Sequence, residues 1–298
     1  MTKRLSILLA AALMLSSCAK TVVKPHYVPL TFMPAISVNT KDFMGSYPLS
    51  SSFAIWAYSV PDGKVWTSDK ASRQTIVENA PVKYYDGVWT AAAMPELGSQ
   101  NTTFFACSPF GYKGFEFDVN KGIQVRNYSL VEDGTDILFS DPILDQNSAK
   151  TGGQIPVQFY HALSEVTFKA RSAAPTEYIM KVRKIILKGM DCRGNFESLP
   201  VAGWFGTDDK RDIEFSRNSV ELTQSPKLID TKLVIPQSPD AHVTVVVDMI
   251  DRATGRPYLI EHELTAAKTL QLFKVGKSYT YILNVSLTDV TFDTDPIK

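Results

Sequence analysis

Residues that usually carry chemistry are sparse in this 298-residue sequence, which has three cysteines and four histidines. So few cysteines cannot staple a disulfide-dense scaffold. His26, His161, His242 and His262 lie far apart, and neither H-E-x-x-H nor C-x-x-C occurs, so no metal-ligand spacing is present. A G-x-S-x-G elbow and a P-loop are also missing. The expectation is a protein without catalytic machinery, metal or cofactor. Charge of one sign is absent too: 31 basic residues balance 31 acidic ones. A general nucleic-acid binder needs a basic stripe to displace counterions, so nucleic acid is not an expected partner. The 16 glycines and 17 prolines follow no short period, which excludes a collagenous chain. With 44% hydrophobic and 21% charged residues there is enough apolar surface to offset the entropy of ordering the chain.

No run approaches the roughly 20 apolar residues of a membrane-spanning helix. The longest begins after Lys3 and Arg4, where Leu5 to Leu15 is apolar except for Ser6. A short positive region followed by such a run reads as a signal peptide. It ends in Leu15-Ser16-Ser17-Cys18, which resembles the signature of bacterial lipoproteins, in which the cysteine is acylated and becomes the first residue. Residues 1–17 are therefore expected to be removed. Cys18 is the expected lipidation site, anchoring the chain to the outer membrane through its acyl chains, and residues 18–26 form a tether.

Along the remaining chain the dominant period is two. Phe53–Val60, Ile123–Tyr128, Val166–Ala170 and Tyr279–Val285 have strand composition, and Val243–Val247 reads as a strand covered on both faces. Turn clusters separate such runs at Pro61-Asp62-Gly63, Asp86-Gly87, Asp133-Gly134, Gly152-Gly153 and Thr254-Gly255. The fold class is all-β, built of β-sandwich layers. Tyr178–Leu187 reads as a strand, and Glu261–Leu272 is the best helix candidate. Length suggests two domains, 27–150 and 151–298, with the junction in the polar stretch Asp145–Gly153. Val166, Phe168, Ile185 and Leu187 belong to the second core. Cys107, in an apolar run, and Cys192, in the turn-like Gly189–Gly194, are expected as free thiols.

Few other residues invite a chemical role. Glu261-His262-Glu263 cannot share a coordination sphere on a strand, because adjacent side chains face opposite ways. Gly111-Tyr112-Lys113-Gly114 lacks phosphate-loop spacing and reads as a hairpin turn. Glu116 and Asp118 share a strand face but nothing separates them from surface acids. Trp56, Trp66, Trp89 and Trp204 suit core packing better than sugar stacking.

Several blocks, in order, resemble the fimbrillin-like lipoproteins, subunits of proteolytically activated pili. They are Ser52–Tyr58, Thr103–Phe110, Asp136–Ser140, Val157–Phe168, Val182–Gly189, Leu233–Gln237 and Gly276–Tyr281. The most specific is Phe159-Tyr160-His161-Ala162-Leu163-Ser164-Glu165-Val166-Thr167-Phe168, where His161 is expected to be structural. The resemblance implies two transthyretin-like β-sandwich domains and a role in a fimbrium and in cell adhesion. It implies as partners other fimbrial subunits and a host or bacterial surface ligand. It also implies that a trypsin-like protease removes an N-terminal strand and that a neighbour's strand refills the groove. Tyr27–Val38 fits that strand, with Val28, Leu30, Phe32 and Ile36 on one face. Lys41, after Asn39-Thr40, sits where the family often carries a basic cleavage residue and is the candidate processing site. No arginine lies between Arg4 and Arg73, so only Lys20, Lys24 or Lys41 could serve, and that departure leaves a tip or anchor role open beside a stalk role. Val290 and Phe292 are the candidate donor-strand residues. An alternative reading is a non-polymerising surface lipoprotein that binds glycans through exposed aromatics.

Overall fold

Burial alternates along Ser164–Ser172 and much of Tyr178–Glu197, whereas Phe53–Ser59 and Thr102–Ser108 are buried on both faces. The structure, a computed structural model, describes residues 27–37, 44–216, 218, 220–239, 242–265, 270 and 272–293. The expected signal peptide, tether, Cys18 and Lys41 lie outside the described residues. The described part is nearly all β, as expected. In chain order the first strands are β1 (Val28–Pro29), β2 (Thr31–Ser37), β3 (Met44–Ser46), β4 (Ser52–Ser59), β5 (Gln74–Tyr85), β6 (Val88–Ala91), β7 (Glu96–Leu97), β8 (Thr102–Ser108), β9 (Phe115–Asp118) and β10 (Gly122–Ser129). Then come β11 (Leu138–Ser140), β12 (Ile143–Gln146), β13 (Gln154–His161), β14 (Ser164–Ser172), β15 (Tyr178–Glu197), β16 (Gly203–Phe215), β17 (Lys227–Val234), β18 (His242–Asp251), β19 (Pro257–Thr265), β20 (Ser278–Val285) and β21 (Val290–Phe292). The α-helices among the described residues are single turns, α1 (Trp66–Asp69) and α2 (Ser148–Thr151). No helix among them is long and apolar enough to cross a membrane.

The nine-stranded sheet closes on itself. Its path runs β11-β13-β2-β6-β5-β4-β8, and β8 pairs back to β11, while β3 extends β2's other flank and β12 joins β8. Closure removes free edges and encloses an aromatic core of Phe32, Tyr47, Phe53, Trp89, Phe104 and Phe159. Phe53 meets Phe159 edge-on at 5.3 Å, and Tyr47 stacks on Phe159 at 5.2 Å. Because β4 alternates, Ala54, Trp56 and Tyr58 point out of the ring, where Phe105, Trp66 and Ile123 cover them.

A sandwich follows. The six-stranded sheet β19-β18-β15-β10-β9, with β16 on β15, faces the four-stranded sheet β17-β14-β20-β21 across a second core. Val166, Phe168, Ile185 and Leu187 are fully buried there, as expected, and Phe168 packs edge-on against Phe215 at 4.8 Å. The opposite face of β15 and β18 buries Thr244 and Val246 but carries ion pairs at its exposed positions, Arg183–Asp248 and, reaching β19, Lys188–Glu263, which contribute little each.

Four expectations are corrected. Glu261–Thr265, in the helix candidate, belongs to strand β19: its apolar residues Ile260 and Leu264 pair with Val247 and Val243 at alternate positions. The turn-like Gly189–Gly194 lies inside the 20-residue β15, where Gly189 at φ +65° absorbs a bulge between Leu187 and Met190 instead of reversing the chain. Gly111–Gly114 turns between β8 and β9, which belong to different sheets, so it closes no hairpin. The chain does not leave the first unit at Asp145–Gly153. That stretch forms α2, whose Asn147 side chain accepts from the Lys150 amide, and then a Gly152-Gly153 turn at φ +59° and +87°. The turn returns β13 to the ring, and the crossover to β14 comes only at Ala162-Leu163.

Truncating Phe168 to Ala should cost about 3–5 kcal/mol, whereas Phe205→Ala, at an exposed ring, should change stability by less than about 0.5 kcal/mol. Urea denaturation of both variants against wild type checks this.

Candidate assembly groove

Among the ring's strands, β2 has the weakest claim to be there by local connectivity, and it holds the ring shut. On one side it runs parallel to β13, with Thr31 opposite Gln154 and Ile36 opposite Phe159. On the other it meets β6 only at Phe32↔Trp89, and pairing resumes with β3 at Ala35↔Ser46. Met33 and Pro34 fall in the gap between those two partners, where proline's missing N–H is tolerated. Upstream, Pro29 sits in the two-residue strand β1 against Glu96, and the chain is tied down by Leu30 N–H to the Pro95 carbonyl at 3.0 Å and Thr31 N–H to the Gly153 carbonyl at 2.8 Å.

Side chains do the rest. Val28, Leu30, Phe32 and Ile36 all pack on the ring's core, as their spacing implied. Phe32, 2% exposed, contacts Phe53 and Phe104 edge-on at 6.0 and 5.9 Å. Met33, pointing the other way, is 49% exposed. Burying Leu30 and Phe32 contributes about 1.5–3 kcal/mol each. Removing β2 would open the ladder between β13 and β6 and leave an apolar slot floored by Phe53, Phe104, Ile155 and Val157. Such a slot is shaped for another alternating strand.

The other chain end is occupied in cis. β21 pairs antiparallel with β20, placing Val290 opposite Val285 and Phe292 opposite Leu283. Val290 is fully buried, Phe292 packs against Tyr281 at 6.0 Å, and Asp293 pairs with Arg171 at 3.0 Å. β21 covers only Leu283–Val285 of an eight-residue strand, so it is a short strand at a sheet edge.

Other residues singled out from sequence are placed as follows. Trp56, Trp66 and Trp89 are buried, and Trp204 is half-buried, donating its indole N–H to the Ala162 carbonyl at 2.7 Å. Glu116 faces Arg126 at 3.5 Å, and Asp118 accepts the backbone amides of Asn120 and Lys121. Cys107 and Cys192 are buried and unpaired, and burial pushes both thiols up. His262 and His242 lie on neighbouring strands, the latter 3.7 Å from Glu263, and no cluster of three or more metal-ligating side chains occurs among the described residues. His161 is structural in the sense expected, since its Nδ1 lies 2.9 Å from Asp136 Oδ2. Sequence reasoning missed the ring closure, because a parallel partner 123 residues away leaves no local pattern.

A family model described as fimbrillin-like matches residues 42–295. The chain belongs to the fimbrillin-like family. Among solved structures, this fimbrillin-like chain resembles a fimbrial protein from Bacteroides vulgatus, with TM-score 0.66 and 16% identity over 90% of this chain and 98% of the other. It also resembles candidate cell-adhesion proteins from Bacteroides ovatus, at TM-score 0.57 and 13% identity over 92% and 97% of the two chains, and from Bacteroides uniformis, at 0.54 and 12% over 91% and 98%. At these identities the likeness is one of fold. No curated protein matches by sequence.

Gly153 offers a local handle on β2. At φ +87°, its added Cβ would collide with the Pro29 carbonyl oxygen. Gly153→Ala should therefore loosen the β1–β2 entry and cost more than about 1 kcal/mol; Gly63→Ala, with open space around it, carries only the backbone strain. Thermal or urea unfolding of the two variants separates the steric from the backbone cost.

Proposed function

We propose that this chain is a fimbrial subunit, in a stalk, tip or anchor position, that serves cell adhesion and assembles by β-strand exchange. The observation that carries this reading is β2: a strand contributed by the N-terminus that closes the ring and seats Leu30 and Phe32 in its core. Lys41 follows β2 by four residues in sequence, so a trypsin-like cut there would sever β2 from every later strand. Family membership and a fold shared with a fimbrial protein support the same reading. The precursor is exported as a lipoprotein acylated at Cys18 and anchored in the outer membrane, and the processed subunit sits at the cell surface. A neighbour's strand carrying Val290 and Phe292 refills the slot, and their alternation is the alternation the slot accepts. Such a transfer requires β21 to leave β20, and its short pairing makes that exchange feasible. The partners are other subunits and, at the exposed end of the assembly, a host or bacterial surface ligand.

A glycan-binding surface lipoprotein is the weaker reading, since Trp56, Trp66 and Trp89 are buried and offer no sugar platform.

Limited trypsin treatment followed by gel filtration tests assembly. Cleaved wild type should shift to oligomers, while Lys41→Ala and a chain lacking 290–298 should stay monomeric. Monomeric cleaved wild type overturns strand exchange, and oligomers from the truncated chain overturn the donor assignment. Anchoring has its own readout: a palmitate analogue should label wild type in cells and leave Cys18→Ala unlabelled.

A further inference from the structure

We propose that the Asp136–His161 ion pair is a proton-controlled clamp on the crossover that joins the closed ring to the sandwich. The crossover is two residues long, Ala162-Leu163, and both of its ends are gripped. On the ring side, Ala162 N–H donates to the Ile137 carbonyl at 2.8 Å, next to Asp136. On the sandwich side, Gly276 N–H donates to the Leu163 carbonyl at 3.1 Å, Glu165 N–H to the Lys277 carbonyl at 2.9 Å, and Ser164 Oγ to the Lys274 carbonyl at 2.8 Å. Trp204 Nε1 holds the Ala162 carbonyl from β16. Within this set of neutral bonds, the His161–Asp136 contact is the one whose strength a proton changes.

Its setting allows that change near neutral pH. The pair lies in a cleft of about 290 Å³ between the two units, lined also by Leu163, Glu165, Leu233, Gly276 and Lys277. His161 and Asp136 are 30% and 38% exposed, so solvent protons reach them. The titratable and charged groups facing His161 are Asp136 from the loop before β11, Glu165 from β14 and Lys277 ahead of β20; β17 contributes only Leu233. The hydrogen bond to Asp136 raises the imidazole's pKa, partly opposed by burial, and the Asp136 and Glu165 charges add to the rise. A group whose folded pKa lies above its unfolded value of about 6.5 stabilises fully below that value and loses the contribution as pH rises through the folded one. The clamp is therefore closed in mildly acidic solution and released in mildly alkaline solution, and with it the tie between the 136–137 segment and the crossover.

Two measurements on the full chain test this. Titrating the imidazole resonances of wild type, which has four histidines, should place His161 above about 6.5. Hydrogen exchange, corrected for intrinsic rate, should show peptides covering 160–165 and 274–278 losing severalfold protection between about pH 6 and pH 9. Peptides from β15 and β18 should hold theirs. In His161→Gln and Asp136→Asn the protection of the crossover should be low and independent of pH over that range. A wild-type His161 titrating at or below its ordinary value overturns the proposal without recourse to any variant. So does a pH-dependent loss that persists unchanged in both variants. A loss spread equally over β15 and β18 also overturns it, since that is global unfolding.

Discussion

Closing a β-sheet requires every ladder edge to find a partner, and in this chain one edge is closed by a strand from the N-terminus. Seven strands return to their starting point only because β2 fits between β13 and the β6–β3 pair. The aromatic core inside depends on that closure. Phe32 touches Phe53 and Phe104, which in turn pack with Phe159 and Tyr47. An open ring would expose that cluster and leave β13 with an unpaired edge, a combination that invites another strand.

The rest of the molecule is organised by one long strand. β15 pairs with β18 along its first half, with β10 along its second, and with β16 along much of its length. Bulges at Val182–Lys184, Leu187–Met190 and Arg193–Asn195 let it bend between those tasks. Because β9 and β10 follow the ring's β8 in the chain and enter the sheet of β15, the chain passes from ring to sandwich there as well as at the Ala162-Leu163 crossover. A small third cluster, with Val125, Tyr128, Phe139, Leu163 and Phe196, fills the space between them. The two units share a core cluster, so they are less separate than a linker-joined pair of domains.

Period-two alternation, turn glycines and the scarcity of helical spacing determined an all-β chain by sequence alone, because a strand's inward face is written in consecutive residues. The face of β2, the burial of Phe168, the hairpin at Asp86-Gly87 and the fimbrillin-like blocks were legible for that reason. Glu261–Thr265 misled because a short apolar-polar run on an edge strand fits either period. Gly189–Gly194 misled because glycine marks a bulge as readily as a turn. Partnership between distant segments was decided only by the tertiary structure. That Thr31–Ser37 lies beside Gln154–His161, that β8 meets β11 to close a ring, and that Asp136 meets His161 beside the β11–β13 ladder are pairings chosen by packing and backbone bonding. Neither leaves a periodic trace in the chain.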